Sequence, residues 1–227
     1  MKTSSKTLAL LTSLTVMASS AFALPTVVLT PGLVTESPQY YGGEFTANSA
    51  TLSNSSYAAS AQSGSGFETF CMAYDQEFYY GEVLGYTLTN HTNDGPGNTA
   101  VPLAAGVAFL YSQFAKGNLV ISTGAQDSDF QLALWWLQNS NGAPSTGAYN
   151  AANAYENLAY TTLGGAAAAQ AAAGSNNYGV SIILTTNPDG TYSQPQLYYS
   201  VPDNGTTIAL LGAALVGLVG FRRRFAR

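Results

Sequence analysis

The positive charges of this 227-residue chain sit almost entirely at its two ends. Lys2 and Lys6 open the sequence and Arg222, Arg223, Arg224 and Arg227 close it, which leaves Lys116 as the one Lys or Arg in between. Such a chain has two terminal segments with their own logic and a middle that must fold with almost no cations. After the first lysines an apolar stretch runs from Leu8 to Met17, and Ala21, Phe22 and Ala23 follow as a small-x-small pattern. Charge, apolar run, then small-residue cleavage site is the order of a secretory signal peptide. Residues 1–23 are read as that signal, with the mature chain beginning near Leu24.

The other end reads as a membrane stop. Residues 204–221 carry no charge, and no polar face interrupts the apolar run from Ile208 to Phe221, which argues against an amphipathic core helix. At ~1.5 Å rise per residue, a helix of this length just crosses a hydrocarbon layer of roughly 30 Å. Arg222, Arg223 and Arg224 follow directly, and positive charge beside a span stays on the cytoplasmic side. One C-terminal transmembrane helix is therefore predicted, with the body facing outward. Val201, Pro202, Asp203, Asn204 and Gly205 stand just before it. Motif, span and basic end, in that order, resemble the PEP-CTERM class of sorting tails and most nearly its VPDSG variant, with Asn204 where that variant has Ser. The resemblance covers residues 201–227. It implies an exosortase-type processing enzyme as partner, inner-membrane anchoring before cleavage near the motif, and then the cell surface or extracellular matrix of a Gram-negative bacterium.

Residues 24–200 are enough for one domain with a real core. This body holds eleven acidic residues and Lys116. Nucleic acid is excluded as a partner because nothing there neutralises phosphates. An anionic membrane surface is disfavoured for the same reason. Asn, Gln, Ser, Thr and Gly carry the solubility, and tyrosines recur in pairs at Tyr40–Tyr41, Tyr79–Tyr80 and Tyr198–Tyr199. Half-exposed strands favour Tyr, and stacking on sugar rings is the other use such residues serve. Cys71 is the only cysteine, which sets the chain apart from secreted proteins that pair their thiols.

Along the body, Thr26–Thr30 reads as a strand between Pro25 and Pro31. Residues 43–58 are open between strand and loop. Phe67–Tyr74 alternates as a strand, and the run from Gly81 to Thr89 is expected to pair with it. His91–Asn98 reads as a loop from its Asn, Gly and Pro content. A helix is predicted from Pro102, as first-turn residue, to Gly117. A second has Asp127 or Ser128 as N-cap and runs through Leu137, apolar all round and therefore buried. A third covers Tyr149–Leu158, and the Ala-rich run 164–174 is either helix or surface segment. Val180–Thr185 and Gln196–Val201 close the body as strands, with Asn187–Gly190 turning between them. Strands, helices, strands give an α+β fold, a β-rich sandwich or barrel with an inserted group of buried helices.

Two of these segments resemble the paired motifs of the thioester domains of bacterial surface adhesins. Phe70, Cys71 and Met72 match the aromatic-Cys-apolar strand, and Phe130, Gln131, Leu132, Ala133 and Leu134 match the helix that carries the partner Gln. The resemblance implies a bond between Cys71 as sulfur donor and Gln131 as acyl donor. A thiolate attacking the carboxamide expels ammonia and forms an oxyanion that needs aimed donors. Gln131, placed in the first turn of its predicted helix, would find them among the free N–H groups there. Phe130, Trp135 and Trp136 would keep water out, and Lys116 is the one internal side-chain amine that could quench the bond.

Other chemistries have weaker patterns. His91 is the only His, so a triad would have to use it, although it reads as a solvated loop residue, and a usual zinc site lacks its ligands. Asp127 and Asp129 read as helix capping rather than calcium ligation. Asp75 and Glu77 form a common i, i+2 pair and no glycosidase signature. No catalytic residues, metal or cofactor are predicted. The expected product is a non-enzymatic surface or matrix protein whose ligand is an extracellular polysaccharide or surface protein, attached through the thioester that the resemblance implies. The alternative is a structural component of an exopolysaccharide or biofilm matrix with an inert Cys71.

Overall fold

A computed structural model describes residues 24–34, 42–95, 97–140, 142–143 and 149–200. The signal segment 1–23, Tyr40–Tyr41, the sorting motif from Val201 to Gly205, the predicted span and Arg222, Arg223 and Arg224 lie outside the described residues. Among the described residues, no helix is long and apolar enough to cross a membrane.

The body is a β-rich sheet with a few helices, α+β as the order of elements suggested. Its strands are β1 (Thr26–Pro31), β2 (Glu44–Asn48), β3 (Gln62–Ser63), β4 (Gly66–Phe70), β5 (Val83–Thr89), β6 (His91–Gly95), β7 (Thr99–Pro102), β8 (Val180–Thr186) and β9 (Gln196–Tyr199). Helices α1 (Ala105–Ala115), α2 (Gly124–Gln138), α3 (Ala154–Leu163) and α4 (Ala166–Gln170) all fall between β7 and β8. Seven strands form one antiparallel sheet in the order β3-β4-β2-β1-β5-β8-β9.

That sheet curls until β9 meets β4. Cys71 and Gln196 form an isolated antiparallel bridge, and Met72 N donates to Pro195 O at 2.9 Å. Thr69 closes the seam with its side chain: Oγ1 donates to Leu197 O at 2.7 Å and accepts from Leu197 N at 2.9 Å. Tyr111 of α1 staples the same seam from inside, its hydroxyl lying 2.9 Å from Glu68 O and 3.1 Å from Leu197 O. The core below joins sheet to helices through aromatic rings. Phe70 of β4 lies 5.2 Å from Phe114 of α1 and 4.8 Å from Phe130 of α2, between ring centroids. All three rings are buried.

Several expectations need correction. The run ending at Thr89 pairs with β1 and β8, not with the Phe67–Tyr74 segment, whose partners are β2 and β3. Strand partners depend on long-range packing that local alternation does not encode. His91–Gly95 is a strand, paired with β7 through a bulge, although its residue types are those of turns. Pro102 ends β7, and α1 begins only at Ala105. Pro lacks an N–H, so it also suits the end of a two-stranded ribbon. Helix α2 begins one turn earlier than expected because Thr123 is the cap, its side chain accepting from Gln126 N. Gln126 Oε1 reaches back to Ser122 N at 3.0 Å and completes the arrangement. The third helix starts at Ala154, capped by Asn153, whose side chain accepts from Tyr155 N and Glu156 N. Within the Ala-rich run only Ala166–Gln170 is helical.

Candidate functional site

The stripe Asp127, Gln131, Trp135 runs along α2 at four-residue spacing, so the three side chains stack on one face. All three are buried. They face the point where β2 and β4 stop pairing. The β2–β4 register sets Glu44 against Phe70, and one more step along it would set Gly43 against Cys71. In place of that pair stands the Gln131 carboxamide. Its Oε1 accepts from Gly43 N at 3.1 Å and from Cys71 N at 3.1 Å, and its Nε2 donates to Cys71 O at 2.8 Å. The side chain is wedged into the ladder as a piece of a third strand would be, with one backbone donor from each side of the split. Cys71 and Gln131, separated by 60 residues, are thus brought together in the interior.

The arrangement corrects one detail of the chemistry expected from sequence. Gln131 is not in the first turn of α2, so free N–H groups of the helix start do not serve it. The donors come from the ends of two strands instead. Asp127 does not cap the helix either; its Oδ1 accepts from Glu44 N at 2.9 Å. Phe130 and Trp136 belong to the main core, whereas Trp135 alone of the three shares a cluster with Cys71, together with Phe45 and Ala143. Tyr74 covers that cluster, its ring edge-on to Trp135 at 5.0 Å. The Cys71 thiol donates to Ala73 O at 3.0 Å.

Gly42 and Gly43 explain how the strand gets so close. A Cβ on Gly42 would lie 2.6 Å from the Trp135 ring and 3.2 Å from Gln131 Cγ. Gly43 has φ 139°, a conformation that side chains disfavour. Neither glycine stood out in the sequence; only the register of β2 against β4 gives them meaning.

A carboxyl pair lies beside the wedge. Glu44 Oε2 accepts from Val34 N at 2.9 Å, and Glu68 accepts from Thr46 Oγ1 at 2.7 Å and Leu33 N at 3.2 Å. Burial, then the neighbouring Glu68 carboxylate, pushes the Glu44 carboxyl up to about 8; Asp127 adds to this and the Val34 N–H opposes it. Glu68 is raised as well by burial, against the Thr46 and Leu33 hydrogen bonds. The remaining candidates do not converge on this place. Asp75 and Glu77 are exposed in the loop after Cys71 rather than on a strand, and His91 lies on β6. Among the described residues no group of three or more His, Cys, Asp or Glu side chains could hold a metal ion.

Comparison with known families adds information about the tail. The VPDSG-CTERM motif family matches residues 200–225. The match implies an exported chain, anchored in a membrane before processing by exosortase-type machinery. No curated protein and no solved structure matches the chain.

Proposed function

We propose that this exported domain is a surface or matrix-binding module in which Cys71 and Gln131 condense to an internal thioester, later opened by a partner's nucleophile. The observation that carries this reading is the carboxamide of Gln131 held by two hydrogen bonds to the Cys71 backbone and one from Gly43 N, with Cys71 and Gln131 both buried. In the condensation, the Cys71 thiolate adds to Gln131 Cδ and the negative charge moves to Oε1. The C–N bond then breaks, nitrogen leaves as ammonia with the thiol proton, and the thioester remains. The two N–H groups on Oε1 favour the charged intermediate and stay in place in the product. The one bond to Nε2 is lost with the leaving group. Later attack by an amine forms an amide, breaks the C–S bond and returns a proton to the sulfur. The module is a single-use reagent and not an enzyme, with an extracellular polysaccharide or surface protein as its ligand.

Intact-mass measurement of the full chain tests the reading. Loss of one ammonia that disappears in Cys71→Ala, and addition of methylamine at Gln131, are the expected results. An unshifted mass with a Cys71 thiol titratable after denaturation would sink it. One contact favours a second reading, a structural matrix component: the Cys71 thiol already has an acceptor in Ala73 O, as an inert buried cysteine would. The same measurement separates the two.

A further inference from the structure

We propose that Asp127 is a positioning residue for thioester closure, holding the Gly43 N–H on Gln131 Oε1 by gripping the next peptide. This rests on the thioester reading above. The geometry is a two-point clamp. Side chains one turn apart on α2 take successive N–H groups of one strand: Gln131 takes Gly43 N at 3.1 Å and Asp127 takes Glu44 N at 2.9 Å. A helix and a strand held at two adjacent peptides cannot rotate about either one. Gln131 alone would leave the Gly42–Gly43 segment free to swing, because glycine has the widest choice of conformations and Gly43 sits at φ 139°.

A carboxylate is a costly means of holding a backbone amide. Asp127 is fully buried, and burying such a group is unfavourable unless its bonds compensate. Thr123 caps α2, so Asp127 serves the helix start only as an acidic residue of its first turn and not as its cap. What the position gains from Asp127 is a strong acceptor, since a charged acceptor binds an N–H about twice as strongly as a neutral one. The second oxyanion donor, Cys71 N–H, needs no such aid. It is fixed by its neighbours in the seam, where Met72 N donates to Pro195 O and Cys71 bridges Gln196. Asp127 therefore supplies to the β2 side the rigidity that the seam gives to the β4 side.

The rate of ammonia loss by the full chain, followed by intact mass during refolding, tests this. Removing one oxyanion donor slows such reactions by about 10²–10³-fold. Asp127→Ala is expected to slow closure toward that range, and Asp127→Asn, whose Oδ1 still accepts from Glu44 N, to stay much closer to the parent. A merely structural Asp127 would lower the melting temperature without changing the closure rate of folded molecules. Equal closure rates in the parent and Asp127→Ala would overturn the proposal while leaving the thioester intact. Parent protein that loses no ammonia would remove both. Should Asp127→Ala not fold, amide hydrogen exchange in the parent decides: the Gly43 and Glu44 N–H groups should be as protected as the β2 ladder, and fast exchange at both would refute the clamp.

Discussion

Trp135 and Trp136 are neighbours in sequence, equally buried, and belong to different interiors. Trp136, with Phe130, Leu134 and Leu137, packs into the main core shared by the sheet and the helices. Trp135 sits in a small cluster with Phe45, Cys71 and Ala143, on the face that also carries Asp127 and Gln131. The main core is held by apolar area and ring contacts, which tolerate small shifts. The small cluster surrounds a polar wedge whose hydrogen bonds are directional. A helix apolar all round is thus not uniformly a core helix: one face gives stability, and the other keeps a carboxamide dry.

That contrast can be broken from either side. The largest effect is expected in the main core, where Phe114→Ala removes a ring contacting both Phe70 and Phe130. A loss of about 3–5 kcal/mol in denaturant unfolding is expected, with closure chemistry unchanged in the molecules that fold. On the polar side, the raised carboxyl of Glu44 sets a pH dependence. The folded state keeps a proton that the unfolded chain releases near 4.5, so stability falls as pH rises from there to about 8 and levels off above. Glu44→Gln should reduce that fall by an amount on the order of a few kcal/mol, read from unfolding curves at the two ends of the window. An unchanged slope would mean that the group is solvated.

Smaller effects test the contact between the two regions. Gly42→Ala pushes a methyl group against the Trp135 ring, and the overpacking should cost about 1–3 kcal/mol. It should also slow closure, since it lifts the strand from Gln131. Thr123→Ala removes the cap of α2, about two turns before Gln131, and should cost about 1 kcal/mol with no change in closure rate. If the cap variant altered closure as much as Gly42→Ala, the start of α2 and the wedge would not be independent.

The sequence made the β-rich α+β order readable because Pro, Gly and Asn punctuate it and the helical runs are strongly apolar. Cys71 and Gln131 could be paired by their flanking residue types. Asp127 was misread for a physical reason: an Asp beside a Ser three residues ahead of an apolar run looks like a cap, and nothing local reveals that Thr123 already fills that role. Gly42 and Gly43 were silent because their function depends on where β2 stops pairing with β4. The strand from His91 to Gly95 was hidden by turn-forming residues, since its pairing with β7 is imposed by position rather than propensity. The resemblance of the flanking residues paired Cys71 with Gln131; the residues around the pair depend on register.

The seam between β4 and β9 has a mechanical side. Strand β9 ends at Tyr199, and the matched tail begins one residue later. While the tail is anchored, tension on it enters the domain through this strand. The strand is gripped on one edge by β8 and on the other by Thr69 and Tyr111. A tug therefore has to defeat both edges at once, and the same strand that receives the load abuts Cys71 through Gln196.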